Sequence, residues 1–126
     1  MKLVRWKDQE FVPASHEDKS APGAIKKVLF TRELMQPGQP QMINWARIKV
    51  GNSFRAHYHE DMYEMFIIIT GRVRIQMDGE SAEMGPGDAV FVPERGVHEM
   101  SNIGDVDVDY LAIGIARGEH GKTVCV

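Results

Sequence analysis

The chain has 126 residues, 43% of them hydrophobic, with a formal net charge of −3, a length and composition that fit one compact domain around one core. Its 15 Lys and Arg are scattered among 18 Asp and Glu, so there is no basic footprint for nucleic acid. The single Cys125 excludes an internal disulfide and suits a reducing compartment; charges interrupt the apolar residues of the first seven positions and no apolar run approaches membrane-spanning length, so the expectation is a cytoplasmic protein that engages no membrane.

Residues 1–41 read as an N-terminal arm. Leu3, Val4, Trp6, Phe11 and Val12 are too much apolar matter for a free tail, so the arm is expected to lay a strand across the body of the domain or across a partner subunit. His16, among Ser15, Glu17 and Asp18, reads as an exposed loop residue. Pro and Gly recur at Pro13, Pro22, Gly23, Pro37, Gly38 and Pro40, and no window sustains an apolar period near four. Short β-rich runs separated by turn residues predict strands over 25–31, 42–50, 56–59, 63–70, 72–77, 89–92, 97–101 and 106–115. Asp78-Gly79 is a hairpin signal joining 72–77 to 80–84, and Gly85-Pro86-Gly87-Asp88 marks another corner. This is an all-β pattern, a barrel or sandwich over 42–116, with 117–126 as a tail that carries His120 in a loop.

Within the barrel segment, Gly51, His57, His59, Glu64 and Gly71 form the most informative run. Alternate side chains of a strand point to one face, so His57 and His59 project together while Tyr58 turns away. The turn residues Glu60 and Asp61 let the chain reverse and bring the Glu64 carboxylate back from the neighbouring strand. His98, opening a strand after the turn 93–96, is the donor in the best context to complete a site. Three imidazoles and one carboxylate accept Fe, Mn, Ni, Cu or Zn as a divalent ion, and four protein ligands leave coordination positions open, as in catalytic sites.

These residues resemble the two motifs of the cupin superfamily. The first motif is matched at every fixed position by Gly51, His57, His59, Glu64 and Gly71; the second is matched by Gly87, Pro93, His98 and Asn102, with Arg95 standing where the family has glycine and Gly96 following it. Over residues 42–115 the resemblance implies a double-stranded β-helix, or jelly-roll barrel, with a metal held inside by the histidines and the glutamate. It also implies metal-dependent chemistry on a small molecule, such as that of a dioxygenase, decarboxylase or isomerase, or alternatively a non-catalytic binding or sensing role. Asn102 is accounted for by the turn it begins.

The run Met65, Phe66, Ile67, Ile68, Ile69 is apolar on both faces, so both must be covered. Phe66 and Ile68 share the parity of Glu64 and are assigned to the interior. Met65, Ile67 and Ile69 then meet the second sheet, the arm or another subunit, and a homodimer is expected. Parity also nominates Phe66, Ile75, Met100 and Tyr110 as pocket residues, although all are ordinary core types. Tyr110 offers an orienting hydroxyl if its face is inward, and Arg55, sharing the parity of His57, is the candidate to meet an anionic substrate at the barrel mouth. The net positive charge of a divalent ion with one carboxylate ligand favours such an anion.

Overall fold

In the computed structural model, residues 1–118 and 121–126 are described; the expected loop position of His120 lies outside them. Twelve strands are present among the described residues: β1 (Lys2–Val4), β2 (Val12–Pro13), β3 (Ile25–Lys26), β4 (Gln39–Ile48), β5 (His57–His59), β6 (Met62–Thr70), β7 (Val73–Met77), β8 (Glu80–Met84), β9 (Ala89–Val92), β10 (His98–Asn102), β11 (Val108–Ala116) and β12 (Thr123–Cys125). One five-stranded antiparallel sheet has the order β1-β9-β6-β11-β4 and another the order β12-β5-β10-β7-β8, while β2 and β3 pair alone. Among the described residues no helix is long and apolar enough to cross a membrane.

The core is what strand alternation demands. Along β11 buried and half-buried residues alternate without a break, with Val108, Tyr110 and Ala112 inside. Phe66 and Ile68 of β6, Val73, Ile75 and Met77 of β7, and Met100 of β10 meet them between the two sheets. Ile67 and Ile69 lie on the outer face of β6 and are half-buried, while Met65 on the same face is buried. The β7–β8 hairpin turns at Asp78 and Gly79, whose φ values of 47° and 87° are both positive, the backbone twist that a tight two-residue hairpin requires.

Two segments depart from the expected strands, and the arm lays its strand on its own chain. Of 25–31 only Ile25–Lys26 forms a strand; Phe30 instead packs edge-on against Phe91 of β9, 6.3 Å between centroids, because packing satisfies this stretch where no partner strand is adjacent. The arm contributes β1, which pairs with β9 of the same chain in the register Lys2↔Phe91, Leu3↔Val90 and Val4↔Ala89. Residues read as tail form β12, which pairs with β5. Such two- and three-residue strands carry no periodic signal of their own.

Candidate metal centre

Each sheet supplies part of the site. His57 and His59 stand on β5 and His98 on β10, and the register pairs His98 directly with His57. Glu64 comes from β6 in the opposite sheet, so the turn after His59 carries the chain across the barrel instead of folding it back as a hairpin. Asp61 holds that crossing: its carbonyl accepts from Arg117 N at 2.7 Å and its carboxylate from Lys122 N at 3.1 Å. One donor atom from each of His57, His59, Glu64 and His98 lies within 4.8 Å of the others. His59, Glu64 and His98 are buried, and His57 is half-buried.

The rings are aimed from behind. His57 Nδ1–H donates to the Arg55 carbonyl at 2.6 Å and His98 Nδ1–H to the Gly96 carbonyl at 2.7 Å. A carbonyl only accepts, so in each neutral ring the proton is fixed on Nδ1 and the Nε2 lone pair faces the centre. His98 Nε2 lies 3.2 Å from Glu64 Oε1 and His59 Nε2 lies 2.7 Å from the same oxygen. Burial pushes the Glu64 carboxyl up, but the close approach of His59 and His98 outweighs it and holds it down at about 2. Burial pushes His57 down, and His98 and His59 add to the effect against the Arg55 carbonyl and Glu64. Beside this buried carboxylate His57 and His98 each present an Nε2 lone pair, an arrangement that calls for a positive charge at its centre. The donor set fits a divalent transition ion.

Around the donors lies an aromatic wall. Phe54 sits 5.3 Å from the His57 ring, 5.8 Å from His98 and 6.0 Å from Phe66, centroid to centroid. Tyr110 faces inward, 5.6 Å from Phe66, and burial, with the Glu64 charge adding to it, pushes its hydroxyl up to about 12. Phe66 and Met100 are buried in the same core. The Arg55 side chain is exposed, and its carbonyl holds the His57 ring. The strand begins only at His57, so the alternation that suggested Arg55 does not extend back to it, and Phe54 takes the inner position. A cavity of about 300 Å³ opens beside Tyr110 and Phe54, with Arg47 and Lys49 among its lining cations.

Two further details refine the motifs. Arg95 adopts φ 64°, the left-handed conformation a glycine takes at no cost, and its N–H donates to the His59 carbonyl at 2.8 Å, so the turn holds its shape without glycine at that position. Asn102 closes its turn by accepting from Gly104 N at 2.9 Å and ties down two carbonyls, of Ile48 and Val106, through Nδ2.

The cupin-domain profile matches residues 44–114, more than half of the chain. The protein belongs to the cupin family. It is 30% identical over 110 residues to an uncharacterized protein of Methanocaldococcus jannaschii, covering 84% of this chain and 88% of that one. It is also 30% identical over 71 residues to an oxalate-binding protein of Thermotoga maritima, covering 55% of this cupin and 59% of the relative. Among solved structures, a mutant of Bacillus subtilis oxalate decarboxylase, an enzyme with Mn(II) centres, superposes with a TM-score of 0.57 at 25% identity over 67% of this cupin. This cupin spans only 23% of that decarboxylase chain.

Proposed function

We propose that this cupin is a metal-dependent enzyme acting on a small anionic or oxygen-rich molecule, with His57, His59, Glu64 and His98 as the metal ligands. The observation that carries the reading is the cluster of three imidazoles about a buried carboxylate, in which two rings are locked by backbone carbonyls with their Nε2 lone pairs turned inward. A bound divalent ion would supply Lewis acidity toward an oxygen of the substrate. The chain's own groups do the rest. Tyr110 keeps its proton at neutral pH and offers a hydrogen-bond donor to what enters the cavity it lines. Phe54, Phe66 and Met100 exclude water from one side of the site, and Lys49 draws an anion to the opening.

Elemental analysis of protein purified without added metal or chelator, followed by oxygen-uptake, carbon dioxide-release and isomerisation assays over a panel of carboxylates, diketones and sugar phosphates, tests the proposal. Turnover that is lost with a chelator and restored by one metal supports it. Metal-free protein that takes up no divalent ion overturns it. A second reading, a ligand-binding cupin without turnover, draws support from the likeness to the oxalate-binding protein; tight retention of a dicarboxylate with no product would select it.

We also infer that a second copy of this chain covers the outer face of the β4-containing sheet. Ile43 and Trp45 of the edge strand β4 are 69% and 63% exposed, and the register continues this apolar strip onto half-buried Ile113 and Leu111. Arg47 and Asp109, paired at 2.6 Å, set opposite charges at its end, a self-complementary rim for a two-fold partner.

A further inference from the structure

We propose that Thr123 is a positioning residue of the metal centre, holding His59 by a hydrogen bond that reverses direction when His59 takes up an ion; this rests on the metal-centre reading above. The three histidines are not held alike. His57 and His98 are each fixed by a backbone carbonyl, whereas His59 Nδ1 meets a hydroxyl, Thr123 Oγ1, at 3.0 Å. Thr123 reaches it because β12 pairs with β5 in the register Thr123↔His59, which puts the two side chains on one face. That register is bracketed on both sides. Glu60 N donates to the Lys122 carbonyl at 3.0 Å, and Val126 N donates to the Ala56 carbonyl at 3.1 Å. A β-branched residue is stiff at χ1, so the hydroxyl keeps its place while its hydrogen stays free to rotate.

Proton placement explains why a hydroxyl suits this position. Without an ion, His59 Nε2–H donates to Glu64 Oε1 at 2.7 Å, so in the neutral ring Nδ1 carries a lone pair and accepts the Thr123 O–H. To hold an ion, Nε2 must present its own lone pair. The ring gives up the Nε2 proton to water and takes one from water at Nδ1, leaving its charge unchanged, and Nδ1–H now donates to Thr123 Oγ1. A carbonyl could satisfy only the second arrangement and an alkyl side chain neither. Thr123 therefore keeps His59 oriented through both, and it is the outer partner of the three that a side-chain substitution can remove.

The test compares wild type, T123V, T123S and T123A, each stripped with chelator and titrated with Co(II) against a competing chromophoric chelator, with the Co(II) absorption spectrum recorded. Long-range ¹H–¹⁵N spectra of the metal-free proteins read the His59 tautomer. T123V is expected to weaken Co(II) binding by about 10- to 100-fold and to shift the Co(II) bands. In the metal-free wild type the His59 ring should carry its proton on Nε2, facing Glu64, and T123S should restore both the affinity and the bands. T123A must show the same loss as T123V, which keeps the test decisive if valine disturbs β12. Co(II) affinity and spectrum unchanged in T123V and T123A, or a metal-free wild-type His59 protonated on Nδ1, would overturn the proposal while leaving the metal centre standing. Wild type that binds no Co(II) would overturn both.

Discussion

His57 and His98 are separated by some forty residues of chain yet are register partners across β5 and β10, their rings 4.4 Å apart between centroids. Each Nδ1 is tied to the carbonyl two residues earlier, of Arg55 and Gly96, so the pair is fixed by the ladder and by its own turns. Replacing His98 by alanine removes a buried donor and leaves its carbonyl partner without a hydrogen. Metal content measured by inductively coupled plasma mass spectrometry should fall from about one ion per chain to a small fraction of that. Retention of the full complement would remove His98 from the ligand set.

Tyr110 lines the cavity beside Phe54. Tyr110→Phe should leave metal content unchanged and lower turnover by about 10- to 100-fold, the scale of one lost hydrogen bond to a reacting group. Steady-state kinetics on the substrate found by the panel decide this, and unaltered kcat would assign Tyr110 to the core alone.

The outer sheet face predicts a change of assembly. Ile43→Asp places a charge in the middle of the exposed apolar strip of β4. Sedimentation should show a dimer for wild type at micromolar concentration and a monomer for the variant, with the melting temperature of the fold little changed because Ile43 is already exposed. A wild-type monomer would leave the strip without its second copy.

Arg95 holds a left-handed backbone at φ 64°. Arg95→Gly relieves that strain, against the greater freedom glycine has in the unfolded chain, for a net gain of about 1 kcal/mol in denaturant unfolding. Loss of stability would show that the arginine side chain contributes more than its backbone costs.

The N-terminal arm carries a pH dependence. Burial pushes the Asp88 carboxyl up, but hydrogen bonds from Gly85 N at 2.9 Å and Trp6 N at 3.0 Å, with Arg5 at 3.1 Å, bring it below its ordinary value of 3.8. A carboxyl lowered on folding stabilises the folded state fully above its unfolded value and loses that contribution as pH falls through the lowered one. The β1 arm should therefore stay docked from neutral pH down to about 4 and loosen only below it. Trp6 fluorescence in a Trp45→Phe background reports the change, and Asp88→Ala should show the loosened signal at pH 7. Identical traces for the two proteins would detach Asp88 from the arm.

Alternation alone marked the inward face of β6, because a period of two needs no knowledge of partners: Glu64, Phe66 and Ile68 share a parity and all three are buried. Asp78-Gly79 fixed its hairpin for an equally local reason, both residues accepting positive φ. Parity says less about Arg55, just outside β5, because alternation holds only where the backbone is extended.

The amino-acid order thus determined on its own the all-β class, the strands long enough to show a period and the four side chains with metal-binding chemistry. Tertiary structure decided that Glu64 arrives from the facing sheet, that Phe54 lines the centre, and that Thr123 stands behind His59. Those relations depend on register between strands distant in the chain, and a strand of three residues such as β12 gains its place from hydrogen bonds with its neighbour and has no pattern of its own to announce it.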